Sequence, residues 1–219
     1  AVEIIGMTKK FGDFTAVDGI AYAIDEDQLV ALLGHNGAGK TTTINMLVGN
    51  MDVTDGDALL FGRSLKLGAA KDMGNCPQHD ILWDHLTGPE HLRLFAVIKG
   101  VPADKVEMEV KNRLEDVNLH AESYLNIPVR AYSGGMKRRL SIAIALVGDP
   151  KVVTLDEPTT GMDPVTRSDV WKCIQRAKKG RVILLTSHSM EEADVLGDRI
   201  AVMSHGRIQA LGTGLQLKR

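Results

Sequence analysis

Short, unbroken apolar runs punctuate the chain at Leu29-Val30-Ala31-Leu32-Leu33, Val152-Val153-Thr154-Leu155 and Val182-Ile183-Leu184-Leu185. Runs of this length without polar alternation read as strands buried on both faces, the form strands take in a parallel sheet. The first two are followed by stretches with helical spacing, Thr43 to Val48 and Val165 to Lys178. Strands alternating with helices predict an α/β core whose ligand sits at the carboxyl edge of the sheet. The first 33 residues read instead as short strands broken by turns. Val2 to Met7 is a strand, Thr8 to Asp13 a polar loop, Ile20 to Ile24 a second strand and Asp25-Glu26-Asp27 an acidic turn. Asp55-Gly56-Asp57 reads as a turn before the strand Ala58-Leu59-Leu60-Phe61.

Residues 79–147 change character. His91 to Ile98 and Val106 to Val117 carry apolar residues at helical spacing, separated by Gly100-Val101-Pro102, and Met136 to Val147 is a further helix ended by Gly148-Asp149-Pro150. The predicted organisation is one domain over 1–219: a core with a β subdomain, residues 1–78 and 148–219, and an inserted helical subdomain, 79–147.

Composition narrows the function classes. The content is 44% hydrophobic, ordinary for a globular core, and the net charge of −2 lacks the basic excess a nucleic-acid binder uses, so no nucleic-acid partner is expected. The apolar runs are far shorter than the roughly 18 residues a membrane-spanning helix needs, and Ala1 to Ile5 does not read as a signal peptide. Two cysteines, Cys76 and Cys173, are too few for a disulfide framework and lack zinc spacing, pointing to a reducing, cytosolic setting.

Chemistry concentrates at Gly34-His35-Asn36-Gly37-Ala38-Gly39-Lys40-Thr41-Thr42, which fits G-x-x-x-x-G-K-[ST] between a strand and a helix. Glycines let the backbone N–H groups turn inward on phosphate oxygens, and the helix N-terminus adds positive charge. Lys40 is expected on the β- and γ-phosphates and the Thr41 hydroxyl on Mg²⁺. Asp156, at the end of a buried strand, is a candidate to hold Mg²⁺, and Glu157 to act as general base or to orient the attacking water. Taken alone, such an Asp-Glu pair is more often a solvated turn. His188, also at a strand end, is a candidate donor to the γ-phosphate, and Gln78 could reach Mg²⁺ or the water. The other histidines, at 35, 79, 85, 91, 120 and 205, read as loop, surface or packing residues. Ser133-Gly134-Gly135 opens a second helix with anion-binding character, which alone would pass as an ordinary cap.

Together these residues resemble the ATP-binding cassette of ABC transporters over about Glu3 to Arg219. Walker A is Gly34 to Thr42, the Q-loop glutamine Gln78, the signature Tyr132-Ser133-Gly134-Gly135-Met136, Walker B Val152 to Asp156 with Glu157 as catalytic glutamate, the D-loop Gly161-Met162-Asp163 and the switch histidine His188. The resemblance implies a P-loop NTPase fold, Mg²⁺-dependent ATP hydrolysis, and adenine stacking on Phe11 with Val17 nearby. Nucleotide contacts are implied for Asn36, Gly37, Ala38, Gly39, Lys40, Thr41 and Thr42, metal contacts for Thr41, Gln78 and Asp156. It further implies head-to-tail pairing, in which Ser133, Gly134, Gly135 and Met136 cap a second cassette's nucleotide and Asp163 communicates across the pair. A transmembrane domain is the other implied partner, at the cytosolic face of a membrane.

Leu33-Gly34-His35-Asn36, Cys76-Pro77-Gln78-His79-Asp80, Ser133 to Arg138 and Met190-Glu191-Glu192-Ala193-Asp194 are similar to subfamily A, whose members mostly move lipids; the run Asp156 to Pro164 is reminiscent of plant and protist members. His35, Met136, Tyr132 and Phe11 replace the common Pro, Gln, Leu and Tyr. Competing readings are an importer's ATPase subunit, a soluble ABC protein of translation or DNA repair, and a non-hydrolysing module. The last would replace Glu157 or His188, and both are present.

Overall fold

The computed structural model describes residues 1–218. Two sheets and a set of helices make three layers. A four-stranded antiparallel sheet has the order β2-β1-β4-β5, with β1 Val2–Phe11, β2 Phe14–Ile24, β4 Asp55–Leu60 and β5 Arg63–Ser64. A six-stranded sheet has the order β10-β9-β3-β8-β7-β6, with β3 Leu29–Leu33, β6 Met73–Cys76, β7 Val152–Asp156, β8 Val182–Ser187, β9 Arg199–Ser204 and β10 Arg207–Gly212. Its pairings are parallel except β10 with β9.

The pleat of the six-stranded sheet divides the apolar runs between two cores. Leu29, Ala31, Val153, Leu155, Ile183 and Leu185 face one core, which the helices complete. Val30, Leu32, Val152, Val182 and Leu184 face the other, which contains residues of the antiparallel sheet and of α1, Lys40–Leu47. Burial on both faces explains why these strands show no polar alternation.

The helical layer comprises α2 Gly88–Ile98, α3 Val106–Asp116, α4 Glu122–Leu125 and α5 Gly134–Leu146, followed by α6 Pro164–Ala177, α7 Met190–Leu196 and α8 Gly214–Leu217. Thr87 and Glu90 form a reciprocal capping box at α2, and Asp163 caps α6 by accepting from Val165 and Thr166 N–H with Pro164 in the first turn.

Two local expectations are corrected. Thr8 to Phe11 continues β1, with Lys9 opposite Val17 and Lys10 opposite Thr15, and the reversal is confined to Gly12-Asp13. Asp55-Gly56-Asp57 is the start of β4, with Asp55 opposite Thr8 and Asp57 opposite Ile5. Register shifts interrupt both ladders, so the alternation that marks a strand is broken where the strand persists. Gly56 allows the close approach: a Cβ there would lie 2.2 Å from the Gly6 carbonyl oxygen.

Candidate functional site

The carboxyl ends of β3, β7 and β8 lie side by side, since Leu33 pairs with Ser187 and Asp156 with Thr186. The phosphate loop leaves β3 there. Gly34 N–H donates to Ser187 O at 3.1 Å, and the loop is packed from behind, since a Cβ on Gly34 would meet Met203 O at 2.5 Å. Gly39 has φ +106° and approaches Ala16 O closely enough that a Cβ would lie 2.6 Å from it. No side chain caps α1, so the N–H groups of its first turn are left for an anion at the positive end of the helix.

Lys40 is buried at 5% exposure and donates to Gly34 O at 2.8 Å and His35 O at 3.2 Å. Its Nζ also lies 3.3 Å from Oε1 of Glu157. Glu157 follows β7 directly, and its backbone is left-handed at φ +44°, a conformation that non-glycine residues adopt at a cost. Its N–H donates to Thr186 O at 3.2 Å and Oγ1 at 2.9 Å, which holds it to the end of β8. Its second oxygen, Oε2, accepts from Thr160 Oγ1 at 3.0 Å and Gln78 Nε2 at 3.4 Å, and lies 3.2 Å from Nδ1 of His188. Burial acts to raise the Glu157 carboxyl; the hydrogen bonds from Thr160 and Lys40, with the Lys40 charge, outweigh it and hold the group below its ordinary value. It is therefore a carboxylate at neutral pH.

Asp156 is buried, and its Oδ1 accepts from Thr41 Oγ1 at 3.3 Å and from the Thr186 hydroxyl. Thr41 and Asp156 supply oxygen donors only, side by side at the mouth of the loop. That set suits Mg²⁺, which is held by one or two protein oxygens together with water and substrate phosphates; no group of three or more His, Cys, Asp or Glu gathers as a metal cage among the described residues.

A cleft of 460 Å³ runs over this surface, lined by Phe11, Phe14, Ala16, Asn36, Gly37, Gly39, Lys40, Thr41, Thr42, Gln78 and Glu157. Phe11 and Phe14 are exposed at its lip, and Lys9 Nζ sits 5.4 Å from the Phe11 ring centroid. Val17, expected near the base, and Ala38, expected among the nucleotide contacts, are both fully buried in the core, and Ala16 and Phe14 line the cleft.

Ser133 caps α5 by accepting from Met136 N–H at 3.2 Å. Ser133, Gly134 and Gly135 line a second concavity, 410 Å³, with Gln78, Arg138, Glu157 and the Pro158–Asp163 turn. Gly135 is packed so tightly that a Cβ would meet Thr166 Cγ2 at 2.3 Å. Met136 does not line this concavity; it packs on the helical core. Asp163 lines it and caps α6, with its carboxyl held below the ordinary value by hydrogen bonds from Thr166 and from backbone N–H groups. The two concavities share Gln78 and Glu157.

Sequence reasoning missed Thr186, Thr160, Arg138 and Glu192. Thr186 has a readable signal, a hydroxyl at the end of an otherwise apolar buried run. Glu192 is a buried carboxylate that accepts from Trp171 Nε1 at 3.0 Å and from the Thr159 hydroxyl, tying α7 to α6 and to the turn after Glu157. Nothing in its sequence neighbourhood separates it from a solvated helix carboxylate.

Comparison with known proteins agrees with this geometry. The model of the ABC transporter family matches residues 17–160. ABC transporter A family member 2 of Arabidopsis thaliana is 54% identical over 215 residues, covering 96% of this chain and 22% of that protein. The retinal-specific phospholipid-transporting ATPase of Homo sapiens is 45% identical over 206 residues, covering 93% of the chain and 9% of that protein. The chain thus spans about a fifth or less of these relatives' lengths. The fold superposes, at a TM-score of 0.84 and 22% identity over 98% of this chain and 99% of the other, on an ATP-binding cassette solved as a dimer in a post-hydrolysis state with ADP and Pi. With a family model that spans most of its length and the nucleotide-binding motifs gathered on one sheet edge, the chain belongs to the ABC transporter family as its ATP-binding cassette.

Proposed function

We propose that the chain is the ATP-hydrolysing motor of an A-family transporter, set at the cytosolic face of a membrane, working with a transmembrane domain and moving lipid. The observation that carries the catalytic part is the convergence of Lys40, Gln78 and His188 on the single carboxylate of Glu157, itself ionised and at the wall of the phosphate cleft. The lipid assignment is supported by the phospholipid-transporting relative.

In this reading Phe11 stacks on the base and the loop N–H groups of residues 36–42 take the phosphates. Lys40 neutralises charge on the β- and γ-phosphates. Glu157 accepts the proton of a water whose oxygen attacks the γ-phosphorus, and the bond from that phosphorus to the β–γ bridging oxygen breaks to leave ADP and phosphate. Gln78 orients the water, and His188 donates to the γ-phosphate. Thr41 and Asp156 would hold Mg²⁺, which supplies charge neutralisation at the phosphates. Ser133, Gly134 and Gly135 cap the nucleotide of a second cassette, since they present a helix N-terminus to a concavity whose lining does not include Lys40. Asp163, at the edge of that concavity, meets the partner.

The test is phosphate release from ATP with Mg²⁺ as a function of chain concentration. Turnover per chain is expected to rise steeply with concentration, to vanish in Lys40→Ala with loss of ATP binding, and to vanish in Ser133→Arg with binding retained. Turnover independent of concentration and indifferent to Ser133 would overturn the composite site; absence of ATP binding would overturn the reading entirely.

A further inference from the structure

Arg138 lies on α5 beyond the signature residues, with 3% of its surface exposed. A buried guanidinium brings a full charge and five N–H donors, so it is tolerated only where acceptors meet it. Here Nε donates to Pro158 O at 2.8 Å and Nη2 to Asp156 O at 2.8 Å. Nη1 donates to Pro77 O at 2.6 Å, lies 3.3 Å from Gln78 O, and pairs with Asp80 Oδ1 at 3.1 Å.

Those acceptors fall into two groups. Asp156 and Pro158 are the residues immediately before and after Glu157, so one planar fork grips both carbonyls flanking the left-handed residue. Pro77, Gln78 and Asp80 belong to the loop that carries the glutamine. The side chains the two groups present, Gln78 and Glu157, meet 3.4 Å apart over the phosphate cleft. The guanidinium itself sits on the helix that Ser133 caps. One side chain therefore sets the spacing of the base, the glutamine and the signature helix.

We propose that Arg138 is a positioning residue for hydrolysis: it clamps the backbone around Glu157 to the Gln78 loop and ties both to the signature helix, so that its loss lowers turnover while leaving the phosphate loop's own affinity for ATP intact. This rests on the reading of the chain as an ATP-hydrolysing cassette. Lysine cannot substitute, because a single ammonium point charge cannot span carbonyls on two segments in a plane.

The test uses the 219-residue chain, wild type and Arg138→Lys, with ATP binding by calorimetry, phosphate release at saturating ATP, and thermal unfolding. Arg138→Lys is expected to lower kcat about 10–100-fold, the scale of a displacement near 1 Å at a reacting centre, with Kd for ATP within about 2-fold. Wild-type kcat in the variant overturns the proposal; so does a loss of Kd and unfolding temperature in step with kcat, the mark of a purely structural role. Asp80→Ala decides the matter if the lysine variant does not fold, because it removes the side-chain acceptor of one leg of the clamp and leaves the guanidinium in place. A fall in kcat of about 5-fold at unchanged Kd, the factor for one net hydrogen bond, supports the clamp, and unchanged kcat overturns it. If the wild-type chain itself neither binds nor hydrolyses ATP, the reading of the cassette fails first and the proposal with it.

Discussion

Changing Glu157 to glutamine keeps the shape of the side chain and removes its charge, and the consequence for ATP affinity can be worked from the site. Lys40 Nζ lies 3.3 Å from Glu157 Oε1, both groups buried. At an effective dielectric of about 20 the gross attraction is about 5 kcal/mol, much of it offset by taking two ions from water. The amide of Glu157→Gln still accepts a hydrogen bond from the charged Lys40 ammonium, but with one of the two full charges gone that contact is weaker than the ion pair by about 1–2 kcal/mol net of desolvation. The β- and γ-phosphates compete for the same ammonium, so ATP binding gives up the stronger interaction in the wild type and the weaker one in Glu157→Gln. The variant is expected to bind ATP tighter by about 1–2 kcal/mol, or about 5–30-fold. Relief of repulsion between carboxylate and γ-phosphate acts in the same direction. Turnover moves the opposite way, falling by about 10²–10⁴ with the general base removed. Calorimetric titration with ATP at two salt concentrations reads the affinity, and phosphate release reads the turnover. Because the pair is buried, the affinity ratio is expected to change little with salt. An affinity for ATP equal to or weaker than wild type would refute the competition for Lys40.

Gly39→Ala forces a methyl against Ala16 O at 2.6 Å and Met203 Cε at 2.8 Å from a left-handed backbone, and is expected to lower stability by about 1–3 kcal/mol in thermal unfolding and to abolish ATP binding. Phe11→Ala removes a stacking face and should weaken ATP by about 1–2 kcal/mol while leaving inorganic pyrophosphate binding unchanged, as calorimetry with both ligands would read. The Glu157 carboxyl is held below its ordinary value, so its ion pair stabilises the fold above the unfolded value near about 4.3 and is lost as pH falls through the lower, folded one. The unfolding-temperature difference between wild type and Glu157→Gln is therefore expected to stay constant from pH 8 to about 5 and to change only below the unfolded value. Glu192→Leu strands the Trp171 Nε1 and Thr159 donors, with an expected cost of about 2–4 kcal/mol by denaturant unfolding; a cost near zero would deny Glu192 its role as a tie.

The phosphate loop was legible because its chemistry is local: glycines, lysine and threonine act within one turn of chain, and each is required by type. Strands β3, β7 and β8 of the six-stranded sheet were legible because burial on both faces leaves an unbroken apolar run, as at Leu29 to Leu33, whereas β6, β9 and β10 were not read as strands. The edges of the antiparallel sheet were not, since register shifts near Gly6 and Gly56 remove the period on which strand recognition depends. Val17 is buried in the core while its neighbour Ala16 lines the cleft, because on a strand successive residues face opposite ways. Arg138 and Glu192 were invisible for a different reason. Their partners lie 18–61 and 21–33 residues away along the chain, and a charged residue on a helix is ordinarily solvated, so nothing local marks these as buried ties. The left-handed backbone of Glu157 is likewise held by its own N–H donating to Thr186 on β8, 29 residues away along the chain, which no residue type announces.

The central claim is that the lysine loop of one cassette and the Ser133 helix end of another form one nucleotide site. Light scattering of Glu157→Gln, which should hold ATP without consuming it, tests this most directly. The expected result is the 23.8 kDa mass without nucleotide and twice that mass with ATP and Mg²⁺, reverting to the single mass when Ser133→Arg is added. A chain that binds ATP and keeps the single mass at every concentration would contradict a site shared between two copies of this cassette.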